Sequence, residues 1–490
     1  MSNFSKLVLP SLVAALLQAC SGSSQPQQQA DLTRAQLLDP QSCAGCHQDQ
    51  VAEWAGSMHA YSSKDPVFRA MNQRGQRETN GALGSFCVNC HAPMAVREGA
   101  TTDGLNLDQL PQQLHGVTCF FCHSTQSVEG THNNPLKLAN DGVMYASISD
   151  PAVRGRVHGA AYSPLLDRNR AESAAACGSC HDIVSPHDGA IERTFSEWQT
   201  SAFSTATGTT CGQCHMPQST SDKPAAQVPG APLRRTHSHT FAAVDTAITL
   251  FPDTQRQRDE VQALLDTTMQ SAVCVQPFAG GSQLSVIIDN AAAGHAFPSG
   301  SAQDRRLWIE LIAYSGTNVI YQSGIVADDQ AVTSSTDPDL WLMRDCMFDQ
   351  AGAQVHMFWE AAGFETNALP ALTTFNPSDP NFYQTHKMRF FPVSGSAIIP
   401  APDRITLRVR LRAMGLDVLD DLIASGDLDP QFRLSMPTFT VGGTLEWTQA
   451  AATRTYTDRN TGGTVYCATN SNLNVQADKF PAPVRTRCAP

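Results

Sequence analysis

The sequence predicts an α+β fold in two parts. A mainly helical, loop-rich region over residues 37–273 precedes an antiparallel β-sandwich-like region over residues 274–490. Three observations carry this. Five copies of Cys-x-x-Cys-His lie between Cys43 and His215. One clear amphipathic stretch, Thr254 to Gln270, puts Val261, Leu264, Leu265 and Met269 on one face, with Asp253 as the expected N-cap. After Cys274 the apolar period changes to two.

Residues 1–19 read as an export signal. Lys6 supplies the positive charge, and the apolar run Leu7 to Leu17 is too short for a stable membrane span. It ends in Leu17-Gln18-Ala19-Cys20, which resembles a bacterial lipobox and implies cleavage before Cys20 and its lipidation. Ser21 follows, and by analogy with lipoprotein sorting this points to the outer membrane, facing the periplasm or the cell surface. Residues 20–36 read as a tether, because SGSSQPQQQA is polar and of low complexity.

The motif copies are Cys43-Ala-Gly-Cys46-His47, Cys87-Val-Asn-Cys90-His91, Cys119-Phe-Phe-Cys122-His123, Cys177-Gly-Ser-Cys180-His181 and Cys211-Gly-Gln-Cys214-His215. This is the attachment pattern of c-type haem: two thiols form thioethers with the porphyrin, and the next imidazole is the proximal iron ligand. Zinc half-sites and thioredoxin-like pairs share Cys-x-x-Cys but do not require His directly after it. Histidine is 15 of 490 residues, so five random hits in five would have a chance below about one in ten million. The expected cofactors are five haem c, each with its iron. Phe120 and Phe121 are expected to pack beside a porphyrin.

Ten cysteines are thus spent on haem and Cys20 on lipidation. The remaining four, Cys274, Cys346, Cys467 and Cys488, suggest two disulfides in an oxidising compartment. Three pairings are open; Cys467 with Cys488 would staple the tail, leaving Cys274 with Cys346.

The expected strands are Gln283 to Ile288, Arg306 to Tyr314, Asn318 to Gln322, Arg404 to Arg412 and Phe432 to Met436. Arg404, Arg408, Arg410 and Arg412 fall on one face of their strand, read as a solvated face, with a propionate or partner contact as the sharper alternative. The formal charge of −12 argues against nucleic-acid binding.

Several segments resemble the multihaem cytochromes c. They are CAGCH through WAGSMHA (Trp54 to Ala60), HGVTCFFCH, ACGSCHDIVSP, TFSEWQTSAF followed by CGQCHMP, and AGHAFPSG (Ala293 to Gly300), together spanning roughly residues 40–315. That superfamily includes hydroxylamine oxidoreductase, the tetrahaem cytochrome of nitrification and octahaem tetrathionate reductase. The resemblance implies distal iron ligands at His59, His158, His239 and His295. His115, four residues before Cys119, is the fifth candidate, with His237, His132 and His187 in reserve; His356 and His386 read as structural.

Five haems in so short a region must lie close together, which favours an electron relay in a respiratory or extracellular chain. No catalytic residue is assigned. The alternative is an oxidoreductase acting on a small nitrogen or sulfur compound at one haem with an open position. Tyr61, Tyr145 and Tyr162 would then be proton-transfer candidates, and the Cys-x-x-Cys-Lys variant is absent. A third reading makes the β region a docking module. Expected partners are other redox proteins (periplasmic or outer-membrane cytochromes), a porin complex or further copies of the chain, with the membrane held through the lipid anchor.

Overall fold

A computed structural model of the chain describes residues 31–148, 157–393, 398–482 and 486–488, leaving out the side chain of Ala477. The export signal, Cys20 and most of the tether lie outside these residues. No helix among the described residues is long and apolar enough to cross a membrane.

The fold is α+β. Residues 34–215 form short helices and turns, and four of the five motifs sit on helices: Val88–His91, Cys119–His123, Glu172–His181 and Cys211–His215. The reason is geometric. At 3.6 residues per turn, positions i, i+3 and i+4 share a face, so both thiols and the imidazole of Cys-x-x-Cys-His project together. Threonines start two of these turns. Thr118 accepts from the backbone N–H of Phe121, and Thr210 forms a capping box with Gln213. The first motif is split instead, with its cysteines at the end of Pro40–Ala44 and just after it, and His47 at the start of Gln48–Ala55.

The β region follows helix Thr254–Thr268. Its strands are β1 (Gln270–Phe278), β2 (Gly281–Asp289), β3 (Arg306–Ser315), β4 (Asn318–Ser323), β5 (His386–Phe391), β6 (Arg404–Arg412), β7 (Thr438–Thr448), β8 (Arg454–Thr457) and β9 (Thr464–Thr469). One sheet runs β5-β2-β1-β9-β8 and the other β4-β3-β6-β7, with all these pairings antiparallel. Their inner faces share one core. Val273, Val275, Leu284, Val286 and Ile288 from the first sheet pack with Leu307, Ile309, Leu311, Ile405, Leu407 and Val409 from the second. Val261, Leu265 and Met269 of the helix and its end join the same core.

Four expectations change. Pro430–Ser435 is a 3-10 turn, not a strand: Asp429 caps the backbone N–H of Gln431, and Pro430 opens the turn. Asp253 does hold the N-cap position, but in the left-handed region and without a capping bond; it faces Arg256 at 3.4 Å instead. The arginine face of β6 is only partly solvated. Arg408 pairs with Glu310, Arg410 donates to Thr440 Oγ1 at 2.6 Å, and Arg404 lies 3.8 Å over the Tyr314 ring. Arg412 is fully buried and donates to the Gln330 carbonyl at 2.9 Å. The disulfides are Cys274–Cys467 and Cys346–Cys488. Cys274 on β1 stands directly opposite Cys467 on β9, so strand register dictates the first pairing and leaves Cys488 to Cys346.

The two regions also share a core. Val67, Ala70 and Met71 on helix Pro66–Glu78 pack with Leu83, Met357 and Trp359, and with Leu416, Leu419 and Leu422 on helix Leu416–Ala424. Gly75 is needed there, since a Cβ at that position would sit 2.9 Å from the Trp359 ring and 2.5 Å from Leu83. Arg74 adds an ion pair to Asp421 at 2.7 Å, and Arg77 pairs with Asp427. The β region is therefore built onto the helical region.

Leu419→Ala should lower the stability of the intact protein by about 2–5 kcal/mol, because it opens a cavity in that shared core. Denaturant unfolding followed by far-ultraviolet circular dichroism checks it; a loss under about 0.5 kcal/mol, the range of ordinary surface substitutions, would contradict this packing.

Candidate haem sites

Eight of the fifteen histidines stand in facing pairs. Ring centroids are 6.3 Å apart for His47 and His158, 6.4 Å for His181 and His59, 6.5 Å for His123 and His239, and 6.5 Å for His215 and His295. Each pair joins one motif histidine to one candidate from outside the motifs. That spacing has a chemical meaning. A first-row metal binds imidazole nitrogen at about 2.0–2.1 Å, and the ring centre lies about 1.1 Å further back, so two imidazoles on one metal have centroids about 6.2–6.4 Å apart.

The nitrogens are set for the same task. A backbone carbonyl can only accept, so an Nδ1 against one carries the proton and leaves Nε2 free for a metal. His123 Nδ1 donates to the Tyr145 carbonyl at 2.6 Å and His215 to Ala242 at 2.8 Å. His158 donates to Gly159 at 2.8 Å, His239 to His237 at 3.0 Å, and His295 to Ala296 at 2.8 Å. His91 donates to Ser62 at 3.3 Å, and His47 bonds the Ala225 backbone.

Burial, then the neighbouring imidazoles, holds His59 down to about pKa 3. Burial likewise lowers His215 and His239 to about 4, and it lowers His47, His123 and His295. These rings are neutral at physiological pH, the form a metal requires.

Carboxylates hold two of the partner segments. Glu53 accepts the backbone N–H of His239 at 2.8 Å. Glu197, on helix Thr194–Thr200, accepts the Ala296 N–H at 3.2 Å and the Ser299 hydroxyl at 2.7 Å, which fastens the loop carrying His295. Neither was evident in the sequence. Glu53 lies 186 positions from His239 and Glu197 lies 99 from Ala296, and no spacing rule links residues so far apart.

His91 differs. Its facing ring is Phe68, stacked at 4.1 Å and nearly parallel. All fifteen histidines lie in the described residues, and none of them stands opposite His91 in a facing pair. His115, the fifth distal candidate, is not brought to it. Both ring nitrogens of His115 are taken, Nδ1 by Ser63 Oγ at 3.1 Å and Nε2 by the Leu110 carbonyl at 3.2 Å. Of the reserves, His132 bonds Thr131 at the surface and His237 offers its carbonyl to His239. His386 is buried against Asp289 at 3.3 Å.

The attachment thiols are also grouped. Cys43 neighbours Cys119, Cys177 neighbours Cys211, and Cys90 neighbours Cys180, with Cys122 near both Cys177 and Cys180. The motifs therefore connect in the order first, third, fourth, fifth, with the second branching from the fourth. Phe120 and Phe121 are buried with Val88 and Met94 in the small core between these segments. Five thiol pairs beside imidazoles, four of the imidazoles having partners at metal-spanning distance, fit covalent haem.

Residues 42–124 match the family model described as cytochrome c554 and c-prime. No curated protein matches the chain. A crystal structure of a penta-haem cytochrome c552 from Thermochromatium tepidum shares the fold. It has 18% sequence identity and a TM-score of 0.56, and the likeness covers 86% of this chain and 99% of that one. The family match spans the first three attachment motifs, and the likeness to the penta-haem cytochrome is one of fold.

Proposed function

We propose that this protein carries electrons through five covalently bound haems arranged as a branched chain. The observation that carries the reading is the four imidazole pairs at 6.3–6.5 Å. Each would hold one iron between two imidazoles, with His47, His181, His123 and His215 proximal and His158, His59, His239 and His295 distal. Six-coordinate iron has no position left for a substrate and changes only its charge, which suits electron transfer. The grouping of the attachment thiols would bring neighbouring haems close together, as electron hopping requires. Partners are other redox proteins. Export and a lipid anchor at Cys20 belong to the same reading, supported by the leader sequence and the two disulfides.

A second reading applies to one haem. His91 would hold its iron without a histidine opposite, because His115 is engaged elsewhere. That iron is the place for a small ligand, and oxidoreductase chemistry on a small nitrogen or sulfur compound would occur there.

Reductive titration should take up five electrons per chain, and the ferrous protein should bind one carbon monoxide per chain. Binding of none would remove the second reading; binding of several would contradict the four paired sites. Replacing His295 by Ala should turn one further haem high-spin in the absorption spectrum, raising carbon monoxide uptake to two. His115→Ala should leave the haem spectrum unchanged, and a new high-spin band in it would make His115 a ligand after all.

A further inference from the structure

Beside the second motif lies a group of polar side chains that the electron relay does not use. Gln303, Asp304 and Asp345 are buried, with Asp304 wholly inaccessible. Both carboxylate oxygens of Asp304 lack a hydrogen-bond partner within the chain. So do Gln303 Nε2, Asp345 Oδ1, Arg344 Nε and His356 Nε2, all buried atoms. An ionised carboxylate without hydrogen bonds is among the costliest groups to bury, and native proteins rarely leave one so. Six such atoms in neighbouring segments call for a role. They do not form a metal cluster; no group of three or more His, Cys, Asp or Glu suited to a metal occurs among the described residues.

They border the second motif: Phe86 and Cys87 pack against the apolar cluster that holds Leu416, and the Gly415 N–H donates to the Asp304 carbonyl at 2.8 Å. Phe86, which precedes Cys87, packs with Ile191, Met347, Val355 and Phe358, the neighbours of Asp345 and His356. Ser301 donates to Glu192 at 2.6 Å, and Arg305 clasps Asp245 at 2.6 and 2.8 Å. Glu192 and Asp245 are the two carboxylates whose charges act on His91. Asp304 lies in the chain between Ser301 and Arg305. The charged groups acting on Asp304 come from several segments: His356, Arg306 and Arg305 favour its ionised form, and Asp417 of helix Leu416–Ala424 opposes it. Burial, then Arg306, lowers the Arg344 pKa, and the charges of Asp417 and Asp304 oppose that. Arg306 is already committed to Asp417, at 2.5 and 3.1 Å.

We propose that Asp304 is a proton-binding site coupled to reduction of the haem anchored at Cys87 and Cys90. The inference rests on that haem belonging to the relay but not on its sixth ligand. One electron arriving from the neighbouring low-spin haem turns ferric iron ferrous, and one proton from solvent converts the Asp304 carboxylate to the carboxylic acid. Reoxidation returns both. The added negative charge at the iron raises the proton affinity of a nearby buried carboxylate, and the neutral acid removes the cost of an unsolvated charge. Burial already pushes the Asp304 carboxyl above the ordinary range. The sign follows: the potential of this haem falls as pH rises through the window between the Asp304 pKa values of the ferric and ferrous states. Within that window the fall approaches a factor of ten per pH unit, about 59 mV for a one-electron couple.

The test is proton uptake on full reduction of the intact holoprotein in weakly buffered solution, measured across pH. The unaltered protein should take up close to one proton more per chain than Asp304→Asn inside the window, and the two should agree well outside it. His356→Gln should move the window to higher pH, because it removes a group that favours the ionised carboxylate; this second variant decides the matter where Asp304→Asn does not fold. Equal proton counts in Asp304→Asn and the unaltered protein at every pH, or an unmoved window in His356→Gln, would overturn the proposal. Carbon monoxide stoichiometry separately reports whether the haem at His91 is open, so failure of that reading is distinguishable.

Discussion

An iron held between two imidazoles needs both rings neutral, coaxial and separated by one fixed distance. That requirement governs most of the helical region. A motif histidine is placed by its own helical turn, but its partner must arrive from elsewhere in the chain. His59 comes from the turn after the first motif, His158 from the loop before the fourth, His239 from the long segment after the fifth, and His295 from the start of the β region. Three of these partners cross to a motif other than their sequence neighbour, while His295 returns to the fifth motif across the whole first part of the β region. The iron positions thus tie remote segments together as disulfides would, and they do so in a region with only small apolar clusters of its own.

This dependence explains why the β region is not a passenger. The loop bearing His295 is pinned to Glu197, Ser185 donates to the Ala361 carbonyl, and Gly189 lies so close to that residue that a Cβ would sit 2.6 Å from its oxygen. Helix Pro66–Glu78 shares its apolar face with helix Leu416–Ala424. The antiparallel sandwich anchors the loop that sets His295 opposite His215. The second motif lies on the same border, through Phe86 and Cys87. Of the three ends of the branched order, the second and fifth motifs are the ones bounded by the β region.

Local features were legible in the sequence. The haem motifs follow from helix periodicity and thioether chemistry, and β6 coincides with the alternation over Arg404–Arg412. Long-range features were less so. Resemblance supplied His59, His158, His239 and His295, which the structure brings opposite motif histidines. Spacing alone suggested His115, whose nitrogens are bound by Ser63 and Leu110. The disulfide pairing depended on the register of β1 with β9, two strands nearly two hundred positions apart in sequence. The arginines of β6 looked like a solvated face because alternation reports direction and not cover; β7 and the segment around Asp328 supply that cover. Phe432 to Met436 alternates well enough for a strand, but Asp429 and Pro430 turn the chain first.

The central claim is that four irons have two histidines each and the fifth, at His91, has one. Electron paramagnetic resonance of the fully oxidised holoprotein, integrated against haem content, tests it most directly. The account predicts four low-spin ferric haems to one high-spin. Five low-spin signals would mean that another side chain closes the site at His91, and two or more high-spin signals would mean that the facing imidazoles do not share an iron.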